Sequence, residues 1–236
     1  RQDSNFMRIK VSGFDNAASI PENGGIATLA IHNDLFFRKI IENILDAYTK
    51  REENNRIVIC DDNCNPLDIT KDSLIITDIY SYDLSSRTIT AALYKNIQDN
   101  SDIDQTKIEQ IESSIFDILD NINIDFSQNL SYQSTISMND ILKMAHVGLE
   151  VNLRNNYIDR LYGIIDSAQQ LLSKQLAVLV NQRQLLSHSE LRALLQYVED
   201  NHFSVLFIEK ICKDKLDSEG LLSIDDDFYD FSTNSR

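Results

Sequence analysis

The chain has 236 residues, a formal net charge of −15, and hydrophobic and charged fractions of 42% and 25%, ordinary values for a globular protein with a real core. No apolar run approaches the roughly 20 residues that span a bilayer, so a membrane protein is not expected. Three cysteines, Cys60, Cys64 and Cys212, are too few for a disulfide framework, and Cys60-x-x-x-Cys64 lacks the second ligand pair of a zinc site, which points to a cytoplasmic protein.

Residues 1–6 read as a foreign remnant ahead of a native start at Met7. Met7 to Phe14 and Ile26 to Ile31 read as two strands joined by a turn that carries Pro21 and Gly24-Gly25. Asp34 then caps a helix whose Phe36, Phe37, Ile40, Ile41, Ile44, Leu45 and Tyr48 share one face, and Arg51 to Asn55 ends it. Ile57 to Ile59 follows as a short strand, then a polar turn through Asp61-Asp62-Asn63 and Pro66, then the apolar run Leu74 to Ile79. Past Ser85-Ser86, Ile89 to Ile97 reads as helical and Gln98 to Gln105 as a polar break.

Ile108, Ile111, Ile115, Ile118 and Ile122 recur at steps of three and four, and so do Ile158, Leu161, Ile165, Ala168 and Leu172. That spacing predicts two helices paired lengthwise as an antiparallel arm. Between them lie a polar bend, Asn129 to Thr135, and a helical piece, Met138 to His146. Leu176 to Val180 returns to the strand pattern, Ser187 with Glu190 forms a capping box that opens a helix, and Val205 to Ile208 is a further strand. Strand–helix–strand at this spacing is a parallel crossover. The expected fold is α/β: a parallel-sheet head built from residues 7–98 and 173–236, with a helical arm, 99–172, inserted.

Two of the apolar runs close on a carboxylate, Asp78 and Glu209, where nucleotide hydrolases hold Mg²⁺. The matching phosphate loop is missing, because the six glycines (Gly13, Gly24, Gly25, Gly148, Gly163 and Gly220) never form the Gly-x-x-x-x-Gly-Lys-Ser/Thr pattern. The head therefore reads as a degenerate nucleotide-hydrolase-like sheet, with Asp78 and Glu209 as turn caps at strand ends. His32, His146, His188 and His202 are scattered and read as structural. Net acidity weighs against nucleic acid, since phosphate binding rests on Lys and Arg. The charge is unevenly distributed, however. Asp214 to Asp230 holds seven carboxylates, whereas basic residues gather at Arg38-Lys39, Lys50-Arg51-Arg56 and Lys210-Lys213-Lys215, with Lys174 and Arg183 apart. A symmetric oligomer can align a few such residues into one positive lining.

Three segments carry a resemblance. Thr77-Asp78-Ile79-Tyr80-Ser81-Tyr82-Asp83 is similar to a Thr-Asp-Ile-hydrophobic-Gly-Tyr-Asp motif, with Ser81 in place of the glycine. Val178-Leu179-Val180-Asn181 followed by Ser189-Glu190-Leu191, and Ser204-Val205-Leu206-Phe207-Ile208-Glu209, are similar to two further strands of the same family. In order and spacing the chain resembles the ring-forming Csn adaptation proteins of type II-A CRISPR systems.

The resemblance implies a homotetrameric ring without catalytic activity or bound nucleotide. Such a ring binds ends of double-stranded DNA, threads the duplex through its hole, and serves spacer acquisition beside other CRISPR adaptation proteins and the effector nuclease. Lys210, Lys213, Lys215, Arg38 and Lys39 are the candidate DNA contacts. The resemblance also implies calcium. The family's carboxylate run is absent from Asn129 to Thr135, which leaves Asp120, Asp125, Asp140 and Glu150 as candidate ligands. The family's Pro-Arg-Arg after the second strand is here Lys210-Ile211-Cys212-Lys213. Two alternatives stay open: an adaptor that recruits other CRISPR proteins without touching DNA, and a metal-dependent nuclease or nucleotide hydrolase that uses Asp78 and Glu209.

Overall fold

The computed structural model describes residues 6–21, 23–50, 56–61, 65–125, 128–150 and 156–233. In chain order the strands and helices are β1 (Phe6–Val11), β2 (Ala17–Pro21), β3 (Gly25–Ile31), α1 (Asp34–Lys50), β4 (Ile57–Cys60), α2 (Ile69–Asp72), β5 (Ser73–Ile76) and α3 (Arg87–Asn100). Then follow α4 (Gln105–Ile124), α5 (Met138–Met144), α6 (Tyr157–Asp166) running into a π-helical turn Ser167–Leu171, β6 (Leu176–Val180), α7 (His188–Asp200), β7 (Ser204–Glu209), β8 (Gly220–Ile224) and β9 (Asp230–Thr233). By contacts the chain divides into two compact units, Arg1–Asp83 with Asn152–Arg236, and Leu84–Val151. Compared with the expected division at 98 and 173, α3 falls in the second unit and α6 in the first.

The first unit holds two sheets, and side-chain pattern decides which strand joins which. In β1, Ile9 and Val11 are buried while Arg8 and Lys10 face out, the alternation of a half-covered antiparallel strand. It pairs with β2 on one side and β4 on the other, giving the order β2-β1-β4. In β3 all seven residues are buried, as suits a strand covered on both faces. It lies centrally in the six-stranded sheet β5-β6-β7-β3-β8-β9, parallel to β7 and β8. The two strands expected on either side of Pro21 therefore belong to different sheets, and β2 is the strand missed between them. Phe6, excluded as part of a remnant, is the first residue of β1 and pairs with Pro21.

Five strands of the larger sheet are parallel, with β9 antiparallel on the edge. This is the expected α/β class with a parallel-sheet head drawn from both chain ends. Phe37, Ile40, Ile44 and Ala47 of α1 pack into one core with Leu29 and Ile31 of β3, Val178 of β6 and Ile208 of β7. The helix cap is Asn33 rather than Asp34: the Asn33 Oδ1 accepts from the Phe36 N–H at 3.0 Å, and Asp34 is the first helical residue. β8 was not foreseen, because Leu221-Leu222-Ser223-Ile224 is short and lies inside the acidic stretch. Past β8, Phe228 packs edge-on to Phe36 at 5.6 Å.

The two isoleucine stripes have different fates. In α6, Ile158, Leu161, Ile164 and Ile165 are buried within the first unit. In α4 of the second unit only Ile108 is buried, and Ile111, Ile118, Ile122 and Ile124 are exposed. The two stripes expected to pair lengthwise as one arm thus fall in different compact units. In the second unit α3 and α5 are tied by the Tyr94 hydroxyl, which donates to the Leu142 carbonyl at 3.2 Å.

Candidate functional site

Open parallel sheets carry their sites beyond the carboxyl ends of the strands. At that edge of the head, β3 passes into α1 through only two residues, His32 and Asn33. A phosphate loop interposes several backbone N–H groups between strand and helix, and here there is no length for it. The N-terminus of α1, an anion-binding position in other folds, is met by the chain's own groups. Asn33 caps it, Asp34 places a carboxylate in its first turn, and the Lys210 ammonium donates to both the His32 carbonyl and Asp34.

Beside it stands a buried ion pair. Arg183, just past β6, is 5% exposed, and Glu219, just before β8, is 0% exposed. The guanidinium Nε and Nη2 donate to the two Glu219 oxygens, each at 2.9 Å, and its remaining N–H groups reach the Lys213 carbonyl at 2.6 Å and the Asp214 carbonyl at 3.1 Å. Glu219 also accepts from the Thr28 hydroxyl of β3 at 2.5 Å and from the Leu216 N–H at 3.0 Å. Burial works against the guanidinium charge, but the Glu219 hydrogen bonds and charge outweigh it and raise the Arg183 pKa. In the sequence Arg183 stands apart from the basic groups, with no partner indicated. The structure makes it a crosslink from the segment after β6 to Glu219, just before β8, and through Glu219 to Thr28 within β3.

Glu209 ends β7 beneath this pair, almost fully buried, with its Oε1 accepting from the Arg183 backbone N–H at 2.7 Å. Burial pushes its carboxyl up to about 7, against the lowering effect of Arg183. Over it lies a crevice of about 470 Å³ lined by Asn181, Arg183, His188, Glu209, Lys210 and Lys213 among others. Burial likewise raises the Cys212 thiol to about 11, so it is not a thiolate near neutral pH.

Asp78 sits two residues past β5 and closes a turn. It accepts from the Ser81 hydroxyl and from the Tyr80 N–H, and these bonds, in that order, hold its carboxyl below the ordinary range. Arg160 of α6 locks the same turn by donating to the carbonyls of Ile79, Tyr80 and Tyr82. The segment Thr77 to Asp83 is therefore a structural turn, with the Ser81 hydroxyl spent on Asp78. Because β6 lies between β5 and β7, the strands that carry Asp78 and Glu209 are roughly 10 Å apart.

The predicted basic residues fall into separate groups. Lys210 and Lys213 share the rim of the crevice, with Lys210 engaged as described and Lys213 exposed. The half-buried Lys215 donates to the Leu216 carbonyl at 3.1 Å. Arg38 and Lys39 are exposed on α1, with Arg38 3.7 Å from Glu42. Lys50 pairs with Asp46 at 2.8 Å, and Lys174 donates to the carbonyls of Thr70 and Lys71. Arg51 and Cys64 lie outside the described residues.

The four candidate calcium ligands are not assembled. Asp140 completes the Ser137 capping box of α5, Asp120 accepts from the Tyr132 hydroxyl, Asp125 terminates α4, and Glu150 is exposed. Among the described residues no three His, Cys, Asp or Glu side chains converge as a cation site. Calcium needs six to eight oxygens, and this set within one chain does not fit it. Among the described residues no helix is long and apolar enough to cross a membrane.

Glu219 is the residue that sequence reasoning missed, since it was counted within the acidic tail. Its one local signal is position, directly ahead of the Gly220-to-Ile224 apolar run.

Comparison with known proteins adds a family and a set of distant folds. The family model described as CRISPR-associated protein (Cas_Csn2) matches residues 48–228. Similar solved structures include cbiO1 from Clostridium perfringens, part of the ABC transporter complex cbiONQ, at 9% identity and a TM-score of 0.48, covering 95% of this chain and 86% of that one. Another is the ADP conformation of MJ1267, an ATP-binding cassette of an ABC transporter, at 10% identity and a TM-score of 0.45, covering 96% and 89%.

Proposed function

The chain belongs to the Cas_Csn2 family of CRISPR-associated proteins, and from that membership we propose that it is a non-enzymatic, sequence-independent binder of double-stranded DNA ends. It acts as a homotetrameric ring in spacer acquisition, beside other adaptation proteins and the effector nuclease. The observation that carries the non-enzymatic part is the sheet edge. The strand-to-helix connection there is two residues long, and the N-terminus of α1 is met by Asn33, Asp34 and Lys210 of the chain itself. Such a connection is too short for the glycine-lined backbone loop with which nucleotide hydrolases wrap a phosphoryl group. The DNA-end part rests on the family resemblance and on a physical requirement: phosphate contacts give affinity without sequence information, which suits a protein that must accept any invading DNA.

The test is binding of a blunt linear duplex and of a closed circle of the same sequence, measured across a salt series. Linear duplex should bind with affinity that falls steeply as salt rises, because Lys and Arg contacts release counterions, and the circle should bind poorly because a closed ring admits DNA only at an end. Equal affinity for both forms would sink threading. A monomer in sedimentation at micromolar concentration would sink the ring, and ATP or DNA turnover with Mg²⁺ that disappears in Asp78→Ala would restore the enzyme reading. The exposed stripe of Ile111, Ile118, Ile122 and Ile124 favours a second reading, protein contact through α4. An adaptor of that kind would bind neither form of DNA.

A further inference from the structure

The unit Leu84–Val151 holds ten carboxylates and only four basic side chains, Arg87, Lys95, Lys107 and Lys143. Three of those four line one groove of about 570 Å³ between α3 and α5, and none of the ten carboxylates does. The α3 wall is a single helical face, with Arg87, Ala91, Tyr94 and Lys95 at steps of four, three and one. Asn139 and Lys143, one turn apart on α5, form the facing wall. The Tyr94 hydroxyl bonded to the Leu142 carbonyl fixes the two walls together.

The three cations are exposed, and among the described residues none of them makes an ion pair. The fourth base, Lys107, does pair, with Asp104 at 3.6 Å. The acid nearest in sequence to Lys143 is Asp140, whose carboxylate accepts from the Ser137 N–H and hydroxyl in the capping box and feels the Lys143 charge without forming an ion pair with it.

In this setting, we propose that the groove between α3 and α5 takes the phosphate backbone of duplex DNA; the proposal rests on the DNA-binding reading above. The charge pattern favours an anion in this groove, where three basic side chains and no carboxylate form the lining, and surface charges farther than about 8 Å are screened at physiological salt. The span also fits. Arg87 and Lys95 are eight residues apart, about 12 Å along the helix, which covers the rise of three to four phosphates of one strand at about 3.4 Å each. The Tyr94 ring and Ala91 give the floor an apolar surface for the sugar, and the Asn139 amide adds a neutral donor.

The experiment compares wild type with the triple variant Arg87→Gln/Lys95→Gln/Lys143→Gln by fluorescence anisotropy on a labelled linear duplex over a salt series. The slope of log affinity against log salt should flatten by about two to three units for each engaged subunit, with at least about a tenfold loss of affinity at low salt. Melting should be unchanged, because all three side chains are exposed. Lys107→Gln, outside the groove, should leave the slope as it is. If wild type binds and the triple variant keeps its slope, the groove is overturned alone. If wild type does not bind duplex at all, the DNA-binding reading falls and the groove with it.

Discussion

Replacing Arg183 by Met tests whether a single buried pair holds the far edge of the sheet together. The guanidinium leaves behind a Glu219 carboxylate that is 0% exposed and keeps only the Thr28 hydroxyl and the Leu216 N–H as donors. The carbonyls of Lys213 and Asp214 lose their partners as well. Removing one member of a buried ion pair costs about 3–5 kcal/mol, because the other charge stays desolvated without compensation. At about 2–4 °C per kcal/mol for a chain of this size, Arg183→Met should lower the melting temperature by roughly 6 to 20 °C and the urea midpoint in proportion. Glu219→Leu, which leaves the guanidinium buried without its carboxylate, should do nearly as much. The double variant Arg183→Met/Glu219→Leu should recover most of the loss, since an apolar pair of similar volume is often as stable as a buried salt bridge. Circular dichroism melts of the four proteins give the coupling directly. An Arg183→Met protein that melts within about 2 °C of wild type would refute the reasoning, because a loss that small belongs to solvated pairs.

The Glu209 carboxyl is raised from its ordinary 4.5 to about 7 by burial. Between those values the folded chain holds a proton that the unfolded chain has released, so this stabilisation is full below 4.5 and is lost as pH rises towards 7. Glu209→Gln should therefore gain on wild type by on the order of 2–3 kcal/mol in urea unfolding between about pH 5 and about pH 8, and parallel pH profiles would count against it. At Gly220 an added Cβ would lie 2.2 Å from the Ser19 carbonyl oxygen of β2, a backbone atom that cannot step aside. Gly220→Ala should cost about 1–3 kcal/mol through overpacking, seen as a lower melting temperature, and a neutral result would mean that β2 and β8 separate freely.

Local pattern made the parallel strands legible. Leu74 to Ile76, Leu176 to Val180 and Ser204 to Glu209 are short apolar runs that become fully buried strands. Ser187 with Glu190 gives the capping box that it announces. Both signals lie within a few residues, where backbone geometry and burial act directly on the local sequence. The three segments that carry the Csn resemblance are of this kind, and the family match covers them.

Only the tertiary structure decided which residues meet across long separations. The stripes of α4 and α6 have the same spacing, yet one is exposed and the other buried, because periodicity states that a helix has an apolar face and not what covers it. Arg183 and Glu219 are 36 residues apart, and neither neighbourhood marks the other as its partner. Lys143 joins Arg87 and Lys95 where α3 and α5 meet, with Tyr94 bonded to Leu142, 48 residues away. A charge reads the same in sequence whether it ends in solvent, in a buried pair or on the wall of a groove. Desolvation and pairing depend on what the fold brings within a few ångströms, and the sequence reports that separation only along the chain.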